Sequence, residues 1–235
     1  MCVLPDNRLL SVNFDNRNLT IYDEEFNLIK TVDKISGEAF WPFGAVLNDK
    51  NQLYIIDFEN DRIILTDLDF RRIKTVGKKS ININDCAYIY SAYFKDERLY
   101  VCEKKQMKLK VFSTDLDLIS VQNLEFKPCF IKCSDSYICI TDDLHVYFYY
   151  LNNFTLKCVI DICNARISEI NSYFFVYCSE DRFYDCFDSN GDFTERVHFD
   201  RFNDYKASNR DGVLIYFRDN LIMTFRESKL LLKFK

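Results

Sequence analysis

Metal binding and acid–base catalysis need side chains that converge, and this chain is sparing with them. It has two histidines, His145 and His198, far apart in sequence. No Cys-x-x-Cys or His-x-x-x-His spacing accompanies them, so no zinc site is specified. Ten cysteines are present. Cys129 and Cys133 share one face of a strand at about 13 Å, too far for a common metal or a disulfide. Cys158 and Cys163 could meet around a turn. With no secretory leader, the cysteines read instead as reduced, half-buried strand residues of a cytosolic protein. The stretch Asp188 to Asp192, DSNGD, looks like the opening of a calcium loop. Its flanks alternate as strands do, whereas a calcium-binding hand needs helices, so Asn190-Gly191 is expected to be a hairpin turn. Sequons at Asn18 and Asn153 would matter only in a secreted chain. No Ser-His-Asp set, Gly-x-Ser-x-Gly elbow or phosphate-binding glycine loop is visible. No catalytic residue, metal or cofactor is therefore expected.

Composition narrows the classes further. Hydrophobic residues make up 48% and aromatics 16%, enough for a sizeable core. Only 5 Gly and 3 Pro occur, which excludes collagen-like and linker-rich chains. The net charge of −5 argues against whole-molecule attraction to nucleic acid or an anionic membrane. No apolar run is long enough to make a membrane-spanning helix. The first residues, MCVLPDNRLL, lack the basic and apolar regions of a signal peptide. A cytoplasmic location is expected.

The elements that must position any site follow from an internal repeat. Residues 3–32 and 46–76 share one layout: polar turn, alternating run, turn, second run, turn, and a third run ending Ile-Lys-Thr-Val. Period-two alternation with regular turn signals is the mark of β-strands. Two anchors follow the pattern down the chain. Leu9, Leu53, Leu99, Tyr137, Tyr173 and Val213 open the second strand of each unit; Leu19, Ile63, Leu109, Val146, Tyr184 and Leu221 open the third. Both series stay in step, giving six units of about 39 residues, the length of a four-stranded propeller blade. Runs such as Leu53–Ile56, Tyr137–Ile140 and Tyr173–Val176 are apolar throughout, as strands buried on both faces are. The predicted fold is all-β: a six-bladed β-propeller of four-stranded antiparallel blades. A single domain over 1–235 is expected, with blades near 1–38, 39–82, 83–124, 125–162, 163–200 and 201–235.

The second unit carries a motif. Pro42, Gly44, Ala45 and Val46, then Leu53, Tyr54, Ile55 and Asp57, then Asn60, Arg62 and Ile63 resemble an NHL repeat. The first unit has Asn13 and Asn18 at the Asp and Arg positions, the third Glu103 and Lys108, and the fifth Tyr177 and Arg182. The resemblance implies a six-bladed propeller that serves as a binding platform, as in tripartite-motif ubiquitin ligases, some members binding RNA and others proteins. Six units fill the sequence, so a RING finger, B-box or coiled coil is not expected within it. The chain reads as a propeller-only protein or a piece of a longer one. Asp57, Arg62 and Arg182 are expected to be structural, with Asp57 accepting turn N–H groups and pairing with Arg62.

Turns between second and third strands should share one rim with the linkers that lead into each innermost strand. That rim gathers Trp41, Lys78, Lys79, Lys104, Lys105 and Lys108, an aromatic among lysines that suits an acidic peptide or a nucleic-acid backbone. Asp142, Asp143, Glu180 and Asp181 on the same rim would repel a phosphate chain, so a protein or peptide partner is favoured over RNA. A monomer is expected. The third possibility is a calcium-dependent hydrolase of the lactonase type. Its ligands would come from innermost strands near 43–47, 87–92, 129–133, 167–170 and 205–208, where Glu169 is the only acid. A hard cation wants six or more oxygens.

Overall fold

The computed structural model describes residues 2–77, 88–170, 173–178, 183–188, 190–198, 214–217 and 220–223. The first sheet is built from β1 (Cys2–Val3), β2 (Leu9–Asn13), β3 (Asn18–Tyr22) and β4 (Leu28–Val32), each hydrogen-bonded to the next. A short hairpin follows, β5 (Lys34–Ile35) with β6 (Glu38–Ala39). The second sheet runs in order through β7 (Pro42–Leu47), β8 (Leu53–Asp57), β9 (Arg62–Thr66) and β10 (Arg72–Val76), with a single 3₁₀ turn at Phe58–Asn60. The third holds β11 (Ile89–Lys95), β12 (Arg98–Glu103), β13 (Lys108–Ser113) and β14 (Leu118–Asn123). The fourth holds β15 (Ile131–Cys133), β16 (Tyr137–Thr141), β17 (His145–Tyr150) and β18 (Leu156–Asp161). The fifth holds β19 (Ala165–Ile170), β20 (Tyr173–Cys178), β21 (Phe183–Phe187) and β22 (Phe193–His198). An antiparallel pair, β23 (Leu214–Phe217) and β24 (Asn220–Met223), lies in the expected sixth unit. Five four-stranded sheets are thus described; the rest of the unit at 201–235, including the anchor Val213 and the innermost strand expected at 205–208, lies outside the described residues.

The strand anchors sit where the alternation places them. Leu9, Leu53, Tyr137 and Tyr173 are the first residues of their strands, and Leu99 is the second of β12. The β5–β6 hairpin was not legible in the repeat, because its strands are only two residues long. It straddles the expected boundary between the first two units, and its Ile35 is fully buried in their shared core.

The chain divides into two compact units, residues 1–131 and 132–235. In the first, β8 explains why a strand can be apolar at every position. Leu53 and Ile55 point into a core with Leu10, Leu19, Ile21 and Phe70. Tyr54 and Ile56 point the other way, into a core with Ile89, Leu99, Val101 and Phe112. Side chains alternate across a strand, so a sheet between two neighbours needs apolar residues on both faces. Each such side chain, fully buried, contributes about 1.5–3 kcal/mol. The Tyr54 hydroxyl donates to the Thr114 carbonyl oxygen at 2.7 Å and so keeps a partner inside the second of these cores. In the second unit Phe148 packs against Phe174 and Phe187, with ring centroids 5.4 and 5.1 Å away.

The turns account for the scarcity of glycine. Asp23, Asn48, Asp67 and Asp188 each accept N–H donations from residues two and four positions on. The residue three positions on takes positive φ: Phe26 at 65°, Asn51 at 57°, Phe70 at 66° and Gly191 at 69°. Side-chain oxygens close these turns in place of the backbone freedom of glycine.

Candidate functional site

The site is built in the first unit from three β-turns and the linkers that lead into the innermost strands. Asp57 ends β8 and is fully buried. It accepts from the Trp41 backbone N–H at 2.8 Å, from Asn60 Nδ2, and from Arg62 Nε at 2.7 Å. Arg62 also reaches Glu38 at 3.0 Å, and Arg72 reaches the same carboxylate at 2.8 Å. The hydrogen bonds from Arg72, then those from Arg62, hold the Glu38 carboxyl down at about 2. The residue after Asp57, Phe58, donates its backbone N–H to the Trp41 carbonyl at 2.9 Å. The turn after the second strand is thereby fastened to the linker before the first strand of the same sheet.

The same construction recurs one sheet on. Lys104 follows Glu103 and donates its N–H to the Tyr88 carbonyl at 3.1 Å. The Tyr88 N–H is held by Asp61 of the preceding sheet at 2.7 Å. Trp41 and Tyr88 are therefore equivalent positions, and two residues beyond each comes another ring, Phe43 and Tyr90. Glu103 differs from Asp57 in pairing with Lys110, at 2.9 Å and with both side chains fully buried.

This framework gathers a continuous row of rings. Phe14, from the β2–β3 turn, lies 5.5 Å from both Trp41 and Phe43. Phe43 lies 5.3 Å from Phe58 and 4.9 Å from Tyr90, and Tyr90 lies 5.5 Å from Phe130. Tyr88 meets Phe58 edge-on at 6.3 Å. Tilted and edge-to-face contacts of this kind add about 0.5–1.5 kcal/mol each beyond area burial. Three cations rest on the row. The Arg17 guanidinium carbon is 3.6 Å from the Trp41 centroid, Lys104 Nζ is 4.8 Å from that of Tyr90, and Lys105 Nζ is 4.4 Å from that of Tyr88. Trp41, Phe14, Phe43, Phe58 and Tyr90 are half-buried, and Arg17, Tyr88 and Lys105 are exposed.

The sequence-predicted rim residues divide three ways. Trp41, Lys104 and Lys105 lie on this row. Lys108 turns away to donate to Gln106 Oε1 at 3.2 Å. Lys78, Lys79 and Arg182 lie outside the described residues, as do Glu180 and Asp181. Phe14, Arg17, Phe43, Phe58, Tyr88, Tyr90 and Phe130 were missed. The available signal was the paired spacing Trp41-x-Phe43 and Tyr88-x-Tyr90, with a ring directly after the second strand at Phe14 and Phe58.

The second unit carries a polar cluster at the β16–β17 turn. Asp142 accepts from the backbone N–H groups of Leu144 and His145 at 2.7 and 2.6 Å and from the Tyr147 hydroxyl at 2.9 Å. Burial works to raise the Asp142 carboxyl, but these donors outweigh it and hold it below the usual range. Burial and the bond to Asp142 together push the Tyr147 hydroxyl well up. This carboxylate organises its turn. Glu169 sits in β19 opposite Phe174. Among the described residues, no three His, Cys, Asp or Glu side chains converge as metal ligands would. No helix among them is long and apolar enough to cross a membrane.

Comparison with known proteins finds no matching family model and no matching curated sequence. Solved structures do match. A streptogramin B lyase superposes with a TM-score of 0.65 at 11% identity, covering 84% of this chain and 67% of the lyase. The WD40 domain of Neurospora crassa Pan2 gives 0.61 at 12%, covering 85% and 69%. BBS1N in complex with ARL6DN gives 0.60 at 12%, covering 83% and 65%. The fold is a β-propeller. Across these and two further lyase structures, the chain spans 60 to 69% of the neighbour's length. Identities this low establish the propeller and its four-stranded antiparallel blades, and nothing about activity.

Proposed function

We propose that this propeller is a non-enzymatic scaffold that recognises a protein or peptide partner through the ring-and-cation face of its first unit. The observation that carries the reading is the continuity of that face. Seven aromatic rings from three sheets and their linkers adjoin one another, with Arg17, Lys104 and Lys105 on top. Aromatic residues and arginine are the side chains that dominate protein–protein contacts. A structural neighbour in complex with a protein partner supports the same use of the fold. We further propose six blades of NHL type, from the motif at Pro42–Ile63 and the pair β23–β24, acting as a monomer in the cytoplasm. A ligase-module role would follow if the chain belongs to a tripartite-motif protein.

The test is site-specific cross-linking in cell extract. A benzophenone side chain replaces Tyr88 on the face, or Ile119, which is 53% exposed on the outer strand β14. The Tyr88 position should give an adduct of defined mass that Lys104→Glu diminishes, and the Ile119 position should not. Equal adducts from both positions, or none from Tyr88, would overturn the reading.

A further inference from the structure

The face carries its own cations in a way that selects the partner. The geometry points to an extended acidic peptide, with aromatic or aliphatic side chains between its carboxylates, as the occupant; this rests on the binding-face reading above. Arg17 and Lys105 make no ion pair among the described residues, although Asp15 and Glu59 are exposed on turns of the same face. The three buried carboxylates nearby are engaged, Asp57 by Trp41, Asn60 and Arg62, Asp61 by the Tyr88 N–H, and Glu103 by Lys110. In a chain of net charge −5, Arg17 and Lys105 therefore present positive charge that no described carboxylate pairs.

Position matters as much as charge. At 3.6 Å from the Trp41 centroid, the Arg17 guanidinium is at stacking distance, so the donors along its edge remain open to a bidentate carboxylate. Lys105, which rests on Tyr88 and is exposed, likewise has N–H donors for a carboxylate. The rings beneath are held by other rings: Trp41 by Phe14, and Tyr90 by Phe43 and Phe130. Single-stranded nucleic acid is bound without sequence preference by stacking bases on open ring faces. Here the faces of Trp41, Tyr88 and Tyr90 are covered by the protein's own cations. Carboxylates meeting those cations, with apolar side chains against exposed ring edges, fit the face better than bases do.

Trp41 is the only tryptophan in the chain, so its emission, excited where tyrosine is silent, reports on the face directly. The full chain is titrated with a random glutamate–tyrosine copolymer, with poly-L-lysine and with polyuridine, at low and high salt. The copolymer should change Trp41 emission in a salt-sensitive manner, and the other two polymers should not. Arg17→Glu combined with Lys105→Glu should weaken that response about tenfold, a loss in keeping with two exposed charge contacts reversed. Lys50→Glu, on the β7–β8 turn, should leave it unchanged, and far-ultraviolet circular dichroism should be the same for all variants. If the copolymer leaves emission unaltered while the Tyr88 cross-link still forms, the acidic-partner assignment alone is overturned. A polyuridine response that the double variant abolishes would overturn both it and the protein-partner reading.

Discussion

Glu38 is half of an acid-sensitive clasp. Its carboxylate takes both Arg72 and Arg62, and Arg62 in turn holds the buried Asp57. The Arg72 and Arg62 hydrogen bonds lower its titration from an ordinary 4.5 to about 2. A carboxyl that titrates lower when folded stabilises the fold at pH values above its unfolded titration point. That contribution is complete above about pH 5, falls as pH drops through the interval between 4.5 and 2, and is gone below it. Thermal unfolding of the parent and of Glu38→Gln should therefore differ most near neutrality and converge near pH 2. A gap that stays constant across that interval would mean that the arginines stabilise the loop without the carboxylate.

At the scale of the turn, Phe70 is placed against two opposing demands. Its backbone sits at φ 66°, where a side chain costs about 1 kcal/mol relative to glycine. Its ring is 5% exposed and packs into the core with Leu53, Ile55 and Ile64. Burial is the larger quantity, which is why a phenylalanine occupies a position that suits glycine. Phe70→Ala should cost about 3–5 kcal/mol in urea unfolding. Phe70→Gly should cost slightly less than the alanine variant, reversing the ordinary order of those two residues. A glycine variant clearly weaker than the alanine one would show that the strain is relieved elsewhere. The same logic explains the β5–β6 hairpin. No alternation can develop in two-residue strands, and burial of Ile35 is what fixes them.

At the largest scale the structure describes, cores are shared between neighbouring sheets of the first unit rather than enclosed by any one sheet. In the first unit the second sheet serves two cores at once, and the Tyr54–Thr114 hydrogen bond spans 60 positions of sequence to join it to the third. The hydroxyl also accepts from Asn48 Nδ2 at 3.2 Å, and burial raises its titration to about 12, so it is a neutral donor at any ordinary pH. Tyr54→Phe leaves the Thr114 carbonyl without that donor and should lower the urea midpoint by about 1–2 kcal/mol of stability, with an unchanged slope. A changed slope would indicate that the two cores had come apart separately.

The sequence by itself determined the strands and their repeat, because alternation and turn chemistry are local. Leu53 and Tyr137 mark strand starts whatever surrounds them, and Asp67 and Asp188 close their turns with their own oxygens. The motif residues Asp57 and Arg62 were readable for the same reason, being five positions apart on one turn. The ring-and-cation face was not. Phe14, Phe58 and Tyr90 have the composition of core residues; their recurring spacing marks equivalent positions in successive units, but it does not say whether those positions lie in a core or on a rim. Lys108, at the Arg position of the motif, and Lys104, in the turn before it, both read as rim lysines, yet one donates to Gln106 and the other rests on Tyr90. Only the tertiary structure decided this, since the face arises from side chains on different sheets whose proximity is set by shared cores, a long-range quantity that no local pattern encodes.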